Sequence, residues 1–151
     1  MSRNPFFFKD KYNLVKVCLN SFKSCLGSIK TKIWVLLDNC PPKYTLLFKK
    51  VFDEKNLKII ELNGIGNRRT FELQFDILVN QEDAELVYFA EDDYFYLPYN
   101  FKEMLNLIKK NKDIDIISPY DHPDYYIYDI HDYKKSIKVL GDRKWVNNIS
   151  T

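Results

Sequence analysis

Apolar residues recur along this chain in two alternating rhythms. Over residues 12–26, Leu14, Val15, Cys18, Leu19, Phe22, Cys25 and Leu26 return every three to four positions, the period of an amphipathic helix, and Gly27 is its natural stop. Residues 32–37 (Lys-Ile-Trp-Val-Leu-Leu) are continuously apolar after the first, as in a strand covered on both faces. Asp38-Asn39-Cys40-Pro41-Pro42 then forms a turn. Tyr44, Leu47, Phe48, Val51 and Phe52 mark a second helix, and residues 57–62 a second strand. Thr70 is placed to cap a third helix running to about Asn80, with Phe71, Phe75 and Leu78 on its buried side. A third strand at 86–90 ends abruptly in Glu91, Asp92 and Asp93. A fourth helix with Phe101, Met104, Leu105 and Ile108 inward, a strand at 114–118 and a short strand at 136–140 complete the pattern. Residues 1–11 show no period, and residues 119–133 are acidic and rich in tyrosine.

Strands alternating with helices predict an α/β fold, a mainly parallel sheet with flanking helices, built as one domain over residues 1–151. In such a sheet the carboxyl ends of the strands open on one rim, where ligands bind. Four polar segments fall there: Asp38-Asn39, the stretch Gly64 to Arg69, the Glu91-Asp92-Asp93 corner, and Tyr120-Asp121-His122. Loops are polar anyway, but four such segments on one rim favour a site.

Hydrophobic residues at 46% and aromatics at 16% suit a real core. A net charge of +2, with no basic face interleaved with aromatics, argues against a nucleic-acid partner. No apolar run approaches the roughly 18 residues that span a bilayer, and Phe6-Phe7-Phe8 is too short for a signal-peptide core. The cysteines, Cys18, Cys25 and Cys40, are odd in number and lack metal-ligand spacing. Cys18 and Cys25 fit burial as small apolar residues, and this usage points to a reducing, cytoplasmic compartment.

The acidic corner carries the sharpest chemistry. Three adjacent carboxylates repel one another and are costly beside a buried strand unless a cation offsets them. A hard divalent ion, Mn²⁺ or Mg²⁺, prefers such oxygens and shares its shell with substrate phosphates, where it would neutralise a leaving diphosphate. Asp93 is the first choice of ligand and Asp92 the second, with Glu91 turned back into the protein. A solvated acidic turn is the alternative. The segment from Gly64 to Arg69 matches neither a Walker loop nor a dinucleotide fingerprint. Gly66 ahead of a helix permits close approach of an anion, and Arg68 or Arg69 could grip phosphate; a plain turn with exposed arginines is the other reading. Asp38 and Asn39 fit either contacts to a nucleoside or ordinary turn chemistry. His122 could be a ligand, hold an acceptor or be a solvent-exposed loop residue, with Asp121 in the same acceptor or lid segment, and tyrosines from 120 to 133 could form a sugar platform or equally lid packing or a contact surface.

Together, Leu14 to Phe22, the strand ending in Asp38, the strand ending in Glu91-Asp92-Asp93, and Leu97-Pro98 resemble the nucleotide-sugar-binding half of GT-A fold, family 2-like glycosyltransferases. Glu91-Asp92-Asp93 stands where that family carries an Asp-x-Asp-type motif, with Glu in place of the first Asp. The resemblance implies a nucleotide-sugar donor, UDP-sugars favoured, with Asp38 contacting the base and Asp92 and Asp93 holding Mn²⁺ or Mg²⁺ on the diphosphate. The sugar would pass to a carbohydrate or other hydroxyl acceptor. The family's first strand has only Asn4 to Phe8 as a poor substitute, and its acceptor half and catalytic base have no counterpart here. A fragment, or a partner supplying the missing half, is the expectation. Two other readings remain: a degenerate GT-A-like binding or interaction module, and a sugar-phosphate nucleotidyltransferase, for which the early glycine-rich phosphate loop is missing.

Overall fold

The computed structural model describes residues 10–120, 136–140 and 143–147. The chain divides into two compact units, Met1–Tyr99 and Asn100–Thr151.

In the first unit, helix α1 spans Lys11–Leu26. Asp10 caps it, its carboxylate accepting from the Tyr12 amide at 2.9 Å, a contact that contributes about 1 kcal/mol. Leu14, Val15, Cys18, Cys25 and Leu26 are buried, so the three-to-four rhythm marks the inward face, and the two cysteines are free thiols packed as apolar residues. Gly27 ends the helix with φ 55, a left-handed conformation open to glycine. Strand β1, Ile33–Asp38, pairs in parallel with β2, Leu57–Leu62, in a register running from Ile33↔Leu57 to Asp38↔Leu62. Helix α2, Pro42–Val51, makes the crossover between them, with proline at its start, where a missing amide costs nothing. Val35 and Leu37 of β1 are buried with Leu47, Phe48 and Phe52, while Trp34 carries the Lys58 ammonium 3.9 Å from its ring centroid. Helix α3, Asn67–Asn80, follows β2.

Mixed α/β architecture with a parallel sheet is therefore present, but on a smaller scale than the pattern predicts. Among the described residues the parallel sheet has two strands. Residues 86–90 and 114–118, both expected as strands, adopt no regular secondary structure. An apolar run becomes a strand only by pairing its backbone with a neighbour, and sequence alone does not supply the neighbour. The third helix also begins earlier than expected. Gly66 is its cap residue, and Thr70 lies inside the first turn with its hydroxyl donating to the Gly66 carbonyl at 2.9 Å. Phe71 and Phe75, expected inward, are exposed, whereas Leu73, Gln74, Ile77 and Leu78 are half-buried. Both stripes satisfy a helical period, and the narrow sheet covers only one of them.

The second unit holds helix α4, Asn100–Lys110, and an antiparallel pair, β3 (Ser136–Leu140) with β4 (Arg143–Asn147). Phe101 and Met104 of α4 are buried as expected. Leu107 takes the next inward place, leaving Leu105 and Ile108 half-buried. No helix among the described residues is long and apolar enough to cross a membrane.

Candidate functional site

Asp38 is the last residue of β1, and its carboxylate points across the turn that follows β2. One oxygen accepts from the Ile65 amide at 2.9 Å and the other from the Gly66 amide at 2.8 Å. The in-register ending of the two strands makes this reach possible, since the Asn39 amide also donates to the Leu62 carbonyl at 2.9 Å. The bonds from Gly66, then Ile65 and Gly64, hold the Asp38 carboxyl below the usual aspartate range. Gly64 and Gly66 take φ of 73 and 87, which lets consecutive amides turn toward one carboxylate. Asp38 thus fixes the turn just ahead of α3 by taking up the Ile65 and Gly66 amides.

The acidic corner lies in a turn at Asp92 and Asp93. Its cation is Lys11, in the first turn of α1, with Nζ 2.9 Å from Asp92 and 3.6 Å from Asp93. Burial pulls the Lys11 pKa down, but the hydrogen bonds and charges of Asp92 and Asp93 outweigh it and leave the ammonium above its ordinary value. Farther along, the Tyr96 amide donates to Ser21 Oγ at 2.9 Å, and Ser21 donates in turn to the Cys18 carbonyl at 2.7 Å. The buried Tyr96 ring meets Phe22 edge-on at 5.0 Å and Tyr88 at 6.3 Å. The segment from Asp92 to Tyr96 is therefore fastened to α1 at two places, and the corner inherits the position of that helix. Burial, then the neighbouring Tyr88, pushes the Tyr96 hydroxyl pKa far up, so it stays protonated.

Cys40 is exposed in the turn after β1, with its thiol 3.6 Å from the Asp38 carbonyl. Partial desolvation, limited by that exposure, raises its thiol pKa first, and the charges of Asp92 and Asp38 raise it further while Lys11 opposes them. Tyr44 feels the same surroundings: burial, then Cys40, Asp10 and Asp92 raise its hydroxyl. Tyr12 packs edge-on against Tyr44 at 5.4 Å, with Lys43 4.8 Å over the Tyr12 ring. Lys11 and Tyr12 begin α1, and Tyr44 lies in the first turn of α2 just after Asp38, so contact between the two tyrosines brings the acidic corner and the β1 terminus to one end of the unit.

Of the residues singled out from sequence, Asp38, Asn39, Gly66, Asp92 and Asp93 come to this end of the first unit. Glu91 is exposed rather than turned inward, because the corner is an open turn and not the tip of a paired strand. Arg68 is 91% exposed and bonded to Glu72 at 2.9 Å, and Arg69 is exposed as well, so neither arginine is drawn to the Asp38 turn. Asp121 and His122 lie outside the described residues. Sequence reasoning missed Lys11, Cys40 and Tyr44. Lys11 is 81 positions from Asp92, and no local pattern joins them. The one usable signal was the need for a cation beside three acids.

Among the described residues no group of three or more His, Cys, Asp or Glu side chains converges as a metal cage. Two carboxylates do converge on a single cation, the Lys11 ammonium. That is the donor number with which Mg²⁺ or Mn²⁺ is held when phosphates complete its shell. Compared with family models, with curated proteins and with solved structures, the chain matches none.

Proposed function

We propose that this chain is the donor-binding domain of a GT-A-type, divalent-metal-dependent glycosyltransferase, taking a nucleotide-sugar at the rim formed by Asp38, Cys40, Asp92 and Asp93. What supports this reading is that Lys11 on Asp92 and Tyr12 on Tyr44 bring the acidic corner and the start of α2, just after the β1 terminus, to one end of the unit. A diphosphate needs such an arrangement, with a nucleoside at one end and a cation at the other. Asp92 and Asp93 would hold Mn²⁺ or Mg²⁺, which supplies Lewis-acid stabilisation of the departing diphosphate. Lys11 supplies a fixed positive charge in the same place, already oriented by two carboxylates, so it serves as a phosphate partner once a metal takes its acids. The Asp38-bound turn keeps the floor rigid, and Tyr12 and Tyr44 present ring edges suited to a base or sugar face.

One observation favours a second reading. Among the described residues Lys11 already occupies the cation position between Asp92 and Asp93, as in a binding module that kept the fold and lost turnover. Titration calorimetry with UDP-sugars, with and without Mn²⁺, separates the two. Metal-dependent binding that is abolished in Asp93→Ala, with the circular-dichroism spectrum unchanged, is the expected result. Unchanged affinity in that variant removes the site assignment.

A further inference from the structure

Helix α3 carries an apolar stripe that the first unit leaves uncovered. Phe71, Phe75 and Val79 are 58%, 50% and 62% exposed at successive four-residue steps, and none of the helix is fully buried. Phe89 extends the patch, its ring stacked on Phe71 at 6.0 Å and on Phe75 at 6.3 Å. Single exposed apolar residues are normal, but a contiguous aromatic stripe along a helix marks a contact surface.

The charges at its two ends indicate the occupant. Arg68 lies in line with the stripe at the amino end, one heptad before Phe75, with Arg69 beside it; its Nε bonds Glu72 of the same helix, and the guanidinium stays open to solvent. Glu82 and Asp83 follow the carboxyl end, and Asp83 is bonded to Lys32. One end is basic, the other acidic, and the middle is aromatic. Such a stripe is complementary to itself when reversed. We propose that α3 is the contact between two copies of this chain, packed antiparallel about a two-fold axis near Phe75. Phe75 then meets the partner's Phe75, Phe71 meets the partner's Val79, and Arg68 faces the partner's Glu82. Reversal also opposes the two helix dipoles, and two-fold symmetry closes the assembly at two copies. A nucleic acid or an anionic membrane does not fit, because Glu72 and Asp76 line the exposed shoulder of the same helix. This inference is independent of the donor site, which lies on other residues.

A helix of 14 residues is about 21 Å long, so the contact is small and the association weak and concentration-dependent. Sedimentation velocity of the full chain, from micromolar to about millimolar, is the test. The expected result is a rise in mass toward two copies, abolished by Phe75→Glu with the circular-dichroism spectrum retained. Arg68→Glu weakens association roughly fivefold to tenfold, and adding Glu82→Arg restores it. A chain that stays monomeric throughout, including one whose own second unit protects the stripe, overturns the proposal. So does a dimer indifferent to Phe75→Glu or not rescued by the charge exchange.

Discussion

Replacing Lys11 with methionine keeps the aliphatic stem and removes the one cation that, among the described residues, touches Asp92 and Asp93. The Lys11 side chain is 29% exposed and its partners 50% and 33%, so solvent screens both contacts. At that exposure each pair contributes about 0.2–1 kcal/mol. A positive charge in the first turn of α1 also opposes the helix dipole, so its removal returns part of the loss. The net destabilisation is at most about 1 kcal/mol, or about 2–4 °C in melting temperature for a chain of this size. Its pH dependence has a definite sign. The folded pKa of Lys11 lies above the ordinary 10.5, so its contribution is complete below that value and fades as pH rises through the folded pKa. Wild type and K11M should therefore differ at neutral pH and converge in strong alkali. Cation binding is the sharper readout. Mn²⁺ approaching the wild-type corner must displace an ammonium from its ligands, whereas in K11M it meets two uncompensated carboxylates. Returning about 1 kcal/mol tightens Mn²⁺ binding roughly fivefold, which calorimetry or manganese paramagnetic resonance resolves. If K11M binds Mn²⁺ no more tightly than wild type, the acids and the ammonium do not share a cation position and the reasoning fails.

Three further predictions concern the turn after β2. Asp38→Ala frees the Ile65 and Gly66 amides, and their hydrogen exchange should rise to the rate of open turn amides while the β1–β2 ladder stays protected; unchanged exchange would mean another acceptor holds the turn. Because the Asp38 carboxyl is held below the ordinary 3.8, its grip is present above that value and lost only as pH falls through the folded pKa, so wild-type protection should persist at pH 4 and disappear in stronger acid. Gly66→Ala meets open space, since an added Cβ finds no atom within 4 Å, yet φ is 87. The cost is therefore backbone strain alone, about 1–3 kcal/mol by urea denaturation, and a neutral substitution would refute the strain argument.

By itself the sequence determined what each stretch is suited to. The rhythm of Leu14, Val15, Cys18, Cys25 and Leu26 placed α1 within a residue of its observed start, because a helix makes its own hydrogen bonds and needs only one apolar face. The 32–37 and 57–62 runs, joined by a helix, likewise gave the parallel pair. The three adjacent acids called for either a nearby positive charge or a solvated turn. Tertiary structure alone decided which charge that is, since Lys11 reaches Asp92 only after α1 and the Tyr96–Ser21 clasp bring distant residues together. It also decided that Asp38 holds the Gly66 turn, and which of the two apolar stripes of α3 faces inward. Residues 86–90 have every local qualification for a strand and form none among the described residues. Strand pairing, unlike helix formation, draws its hydrogen bonds from elsewhere in the chain, and no local pattern records whether they arrive.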